Sequence, residues 1–237
     1  IAAVSIFALQ LAVTYRRSLE PFAPYIGFIF LAVAWMVLTT IGSTWHSWQL
    51  MTVASREQLL WQVATYQAAL RDGQLHGLAL IMILGVSMKI LPGLFRLPPV
   101  PERRALTALF VLAVAVAGEV GLMVGFQWTQ HPVMAGMLYM MWVLLAIGIL
   151  LVAWPWQLWL PLPERERSGK FIRAAYLWLA ISLIMLLALP LYQLLSGEPF
   201  SHAYYGAIRH ALTVGFISMM IMGVAARVVP TLHGINT

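Results

Sequence analysis

The segment MIMGVAARVVPTL (220–232) repeats MILGVSMKILPGL (82–94) at an offset of 138 residues, without a gap. The same offset aligns Arg71 with Arg209 and Gly77 with Gly215. In both copies a glycine (Gly85, Gly223) is followed four residues on by a cation (Lys89, Arg227) and three further on by a proline (Pro92, Pro230). A histidine stands near the start of each, His76 in one and His210 in the other. Their registers differ by four residues, about one helical turn, so both fall on nearly the same helix face. The repeat predicts two related helices, 71–94 and 209–232, converging on one site, since internal repeats in membrane proteins often place the functional site at the repeat interface.

Composition sets the class around this repeat. Apolar residues make up 62% of the 237 residues, charged residues only 9%, and mean hydropathy is +0.85. Soluble domains do not reach these values. Apolar runs over about 1–15, 23–45, 73–95, 105–126, 132–154, 172–195 and 205–229 approach or exceed the length that crosses ~30 Å of hydrocarbon. No dyad alternation indicates a β-barrel, so the expectation is an all-α polytopic bundle of about seven transmembrane helices forming a single domain over 1–237. The first run is short and the chain opens with Ile rather than Met, so the numbered chain is expected to lack a natural N-terminus. The net charge of +6 does not indicate nucleic acid, because the basic residues sit in short loops between apolar runs. With no cysteine, disulfides, Cys-ligated iron–sulfur clusters, CxxCH haem attachment and thiolate copper sites are excluded. Any metal must be held by His, Met, carboxylate or Tyr.

Lys and Arg set the orientation. One set of helix ends carries Arg16, Arg17, Lys89, Arg96, Arg103, Arg104, Arg165, Arg167, Lys170, Arg173 and Arg227; the other carries only Arg56, Arg71 and Arg209. Eleven against three places the first set in the cytoplasm. The loop WPWQLWLPLP (154–163) supplies tryptophans to the interfacial belt. The segment 47–72 is too polar to span and reads as an outer interfacial segment. Ser55 and Gln58 have capping-box spacing, so a helix is expected from 56. A plain amphipathic connector accounts for the segment equally well.

Five of the six histidines fall on the outer side: His46, His76, His131, His202 and His210. The repeat, more than this split, singles out His76 and His210 as metal or haem ligands, with His46 as a third member at a helix end. His131 and His202 read as loop histidines. His233 lies 23 residues beyond His210, roughly 35 Å along a helix, and reads as a cytoplasmic helix end. Glu119, in AVAGEVGLMVG, is an intramembrane carboxylate, functional by default as proton relay, ligand or catalytic group. A protonated, hydrogen-bonded packing role is the competing reading. Arg71 and Arg209 on the outer side could pair with an acidic cofactor group such as a haem propionate. Lys89 and Arg227 complement helix C-termini. The dispersed methionines read as packing residues.

The stretch HALTVGFISMMIMGVAARV, from His210, resembles the HALTVG…GVxxR motif of the NnrS family, and GLALIMILGVSMKILPGL (77–94) resembles that family's preceding helix. The likeness is specific in the last helix and diffuse elsewhere. Only His210, Gly215, Gly223 and Arg227 carry over residue by residue, and the family's GHTGR ending is degraded here to LHGIN. The resemblance implies an integral protein of a bacterial inner membrane that binds haem, b-type in expectation, and copper, near the outer face. It also implies electron transfer or nitric oxide metabolism. The competing reading is an anchor or haem b-containing subunit of a larger respiratory complex that exchanges electrons with quinone. Expected partners are the lipid bilayer and other membrane subunits, with no nucleic acid.

Overall fold

The computed structural model describes residues 1–160, 167–198 and 201–232. Every regular element among them is helical. Helix α1 is Ala2–Arg17, α2 is Pro24–Met51, and α3 runs unbroken over Arg56–Phe95. Then follow α4 (Glu102–Thr129), α5 (Pro132–Trp156, closing in a 3-10 turn), α6 (Arg167–Leu187), the short α7 (Leu189–Ser196) and α8 over 202–232. Six of these are long and apolar enough to cross a membrane: α2, α3, α4, α5, α6 and α8. The protein is therefore a multi-pass membrane protein with its apolar helices in lipid. Helix α1, at 16 residues, falls short of that length. His233, Arg165 and parts of the 154–163 and 196–204 loops lie outside the described residues.

The 47–72 region differs from expectation in one respect. The Ser55 half of the capping box is made, its Oγ accepting from the Gln58 amide at 3.2 Å, while Gln58 Oε1 accepts from the amide of Ala54, one residue before the cap, at 3.4 Å. The helix begins at Arg56, as the spacing predicts, but continues into the apolar run instead of stopping as a separate interfacial piece. No proline separates residues 56–72 from the run, and the Asp72-Gly73 pair, a turn signal in other settings, is taken up within the helix. At 40 residues α3 is roughly 60 Å long, about twice a bilayer core. The 172–195 run, read as one helix, breaks at Ala188, just before Pro190, whose ring cannot continue the ladder. Pro92 and Pro230 lie inside their helices, and α3 stops at Arg96, which takes a left-handed φ of 52°.

Contacts divide the chain into two compact units, where the sequence reads as one domain. The first comprises 1–86 and 101–151, the second 87–100 and 152–237. In the first, Phe28, Ala32, Ile81, Leu84, Leu112 and Val116 are fully buried. In the second, Leu91, Phe95, Ile172, Ala175 and Phe216 are.

Within each unit the helix repeat carries a partner helix that is also repeated. FIFLAVAWMVLT (28–39) in α2 matches FIRAAYLWLAIS (171–182) in α6 at Phe, Ile, Ala, Trp and a terminal hydroxyl, 143 residues apart. The packing matches too. A Cβ on Gly77 would lie 2.5 Å from Cγ of Trp35, and one on Gly215 2.5 Å from Cγ of Trp178. One turn-pair further on, a Cβ on Gly85 would meet Phe28 Cβ at 2.7 Å, and one on Gly223 would meet Phe171 Cβ at 3.1 Å. Each glycine pair thus lets a Trp and a Phe, seven residues apart, seat their helix against its neighbour. A π-turn stands at corresponding places, Gly73–Leu80 and Ala211–Ile217.

The positive-inside reading gives a topology test within the first unit. The chain has no cysteine, and Ser55 and Glu102 are both exposed. Ser55→Cys should react with an impermeant maleimide on intact cells, and Glu102→Cys only after permeabilisation. Labelling of both from the same side would overturn the orientation.

Candidate functional site

The buried polar centre of the first unit is built from three helices. His76 lies on the π-turn of α3, Glu119 midway along α4 and Trp142 on α5. His76 Nδ1 is 2.8 Å from Glu119 Oε2, and Trp142 Nε1 donates to Glu119 Oε1 at 2.8 Å. Residue exposures are 7% for His76, 1% for Glu119 and 5% for Trp142. Both carboxylate oxygens are used, which explains how a carboxyl is tolerated at this depth: it replaces water with two fixed partners. With Nδ1 as donor to Glu119, the ring's lone pair falls on Nε2. A π-turn places one extra residue in the helix and turns a side chain away from its α-helical direction; such turns are frequent at functional sites.

His210 is held differently. It ends the α-helical stretch His202–His210, immediately before the second π-turn, and is exposed. Its Nδ1 is 2.7 Å from the Gly206 carbonyl. A carbonyl only accepts, so Nδ1 carries the proton and Nε2 is the lone-pair nitrogen. In both histidines Nδ1 is fixed by an oxygen, the arrangement that metal-ligating histidines nearly always adopt because it sets tautomer and ring orientation. His76 belongs to the first unit and His210 to the second. Their positions are not equivalent in the repeat. The counterpart of His210 is the buried Asp72, and that of His76 is Val214, 61% exposed.

The remaining sequence candidates take varied places. His46, in α2, is 6% exposed, and neither ring nitrogen has a hydrogen-bond partner. Arg71 is exposed and Arg209 half-buried. His131 accepts from the Val133 amide at 3.3 Å and serves the turn between α4 and α5. His202 is the first residue of α8, where a loop histidine was expected. Among the described residues, no group of three or more His, Cys, Asp or Glu is arranged to hold a metal ion. Haem needs only axial protein ligands, since the porphyrin supplies four nitrogens, and single well-oriented histidines fit that requirement. Sequence reasoning missed Trp142, an apolar-looking residue in the most hydrophobic helix, whose indole N–H is visible as a partner only once α4 and α5 pack.

Compared with protein-family models, curated proteins and solved structures, the chain finds no match in any of the three.

Proposed function

We propose that this multi-pass membrane protein is NnrS-like: it binds haem, with copper as a further metal, and acts in electron transfer or nitric oxide chemistry in a bacterial inner membrane. His76 in the first unit and His210 in the second are each proposed as an axial ligand, each within its own unit. The observation that supports this reading is the tethering of Nδ1 in both rings, at 2.8 Å by the Glu119 carboxylate and at 2.7 Å by the Gly206 carbonyl. The fit differs between the two. His76 is anchored by a carboxylate, which raises ligand basicity, whereas His210 has only a carbonyl. Glu119 also gives the first site a proton acceptor inside the membrane. Bound haem would supply the redox centre, and the histidine of each unit, with its Nδ1 partner, would orient a haem bound there. Arg209, next to His210, is the candidate partner for a propionate.

The test is the reduced-minus-oxidised spectrum and metal content of the purified protein. Wild type should show a haem Soret band. His76→Ala and His210→Ala should each lower haem content, and Glu119→Gln should weaken retention about tenfold or more, as expected for loss of a ligand's anchor. A protein without haem or copper, or one whose content neither histidine variant changes, would leave the anchor-subunit reading in its place.

A further inference from the structure

A second feature of the first unit is independent of the His76 site. Three elements meet there: the last turns of α2, the π-turn Val63–Gln67 in the first part of α3 and the last turn of α4. Tyr66 lies at the centre. Its ring is 5.8 Å from His46, 5.0 Å edge-on from Trp45 and 6.3 Å from Trp61, and Trp61 meets Trp128 at 4.8 Å. His46 is buried with both ring nitrogens unpartnered, while Trp45, Trp61 and Trp128 are 42%, 38% and 61% exposed.

A buried imidazole with no partner is costly, because both its donor and its acceptor have lost water and gained nothing. Native structures rarely leave such groups unused. The chemistry around the ring narrows what completes it. No carboxylate or second histidine joins His46 in a metal-holding group among the described residues. The surrounding groups are flat aromatic rings at a membrane-boundary helix end, half open on the outside. A matching ligand is flat, soluble in lipid, and carries a carbonyl to accept from the imidazole N–H. We propose that the His46–Tyr66 cluster binds the head group of a lipid-borne quinone, with the His46 ring donating to one carbonyl and the tyrosine and tryptophan rings packing on its faces and edges. This assigns His46 to a ligand of its own, apart from the haem reading.

The tryptophans provide the readout, because a quinone quenches indole fluorescence at contact. Decylubiquinone titrated into the full chain in phosphatidylcholine nanodiscs should give a saturable quenching phase above linear partitioning. His46→Phe should weaken that phase about tenfold, the equivalent of one lost hydrogen bond. His46→Gln, which still donates, should stay within about threefold of wild type, and His131→Ala should match it. Haem content should be unchanged in His46→Phe, which separates this outcome from failure of the haem reading. Linear quenching in wild type, or an unchanged saturable phase in His46→Phe, overturns the proposal. So does copper uptake that His46→Phe abolishes without quinone saturation. If His46→Phe does not fold, carbonyl-¹³C decylubiquinone on the wild-type protein decides: a carbonyl band shifted to lower frequency supports the hydrogen bond, and an unshifted band refutes it.

Discussion

Glu119→Ala should be among the most destabilising single substitutions in the first unit. It removes the acceptor of two buried donors at once, Trp142 Nε1 and His76 Nδ1, both at 2.8 Å. Each orphaned donor costs about 1–3 kcal/mol, so the pair amounts to several kcal/mol. Hydrogen bonds between membrane helices average nearer 0.6 kcal/mol when the unfolded state finds other partners, which sets the lower bound. Glu119→Gln keeps one carbonyl acceptor and should lose roughly half as much. Trp142→Phe leaves the His76 bond intact and should lose least. Thermal or denaturant unfolding in detergent, followed by circular dichroism, ranks the three. If Glu119→Ala unfolds with wild type, the carboxylate does not hold these helices together.

The next largest effect is expected at the repeated glycines. In Gly77→Ala the new Cβ meets the indole of Trp35 at 2.5–2.6 Å. Trp35 is 8% exposed and has nowhere to go, so overpacking should cost about 1–3 kcal/mol. Gly215→Ala meets Trp178 Cγ at 2.5 Å and Cβ at 2.6 Å. A Cβ is fixed by its own backbone, so turning the 41% exposed ring outward does not relieve that contact. The cost of Gly215→Ala should be comparable. Trp35→Ala, which removes Cγ and Cδ2, should partly rescue Gly77→Ala and leave Gly215→Ala unimproved; Trp178→Ala should do the reverse, less fully because its Cβ stays at 2.6 Å. These double-mutant cycles isolate each contact. Rescue across the two pairs, or no cost in either glycine variant, would contradict the packing described.

The sequence discloses the helices and the repeated face well, because both depend on local, linear signals. Long apolar runs report lipid, and identical spacing of glycine, cation and proline reports one helix used twice. The Ser55 cap is likewise a matter of four adjacent residues, and it stands where the spacing places it. The match of α2 to α6 was hidden because only five of twelve aligned positions carry it and the offset changes from 138 to 143. The continuity of α3 is not legible in the sequence, because the polarity of residues 56–72 reads as a boundary, whereas a helix stops only where its chemistry stops it. At the site, Glu119 and His76 were recognised individually as costly intramembrane groups. Their pairing, and that of Trp142 with Glu119, depends on how α3, α4 and α5 lie side by side, which no spacing along the chain encodes.

Of the three π-turns described, the two in the repeated helices bear on ancestry. A π-turn is an α-helix turn with one surplus residue. The surplus lies at Gly73–Leu80 in one copy and Ala211–Ile217 in the other, starting at the same aligned position. If both helix pairs descend from one, a single insertion made before the copying accounts for both, whereas two later insertions would have had to strike the same spot twice. The extra residue is then older than the internal doubling of the helix pair.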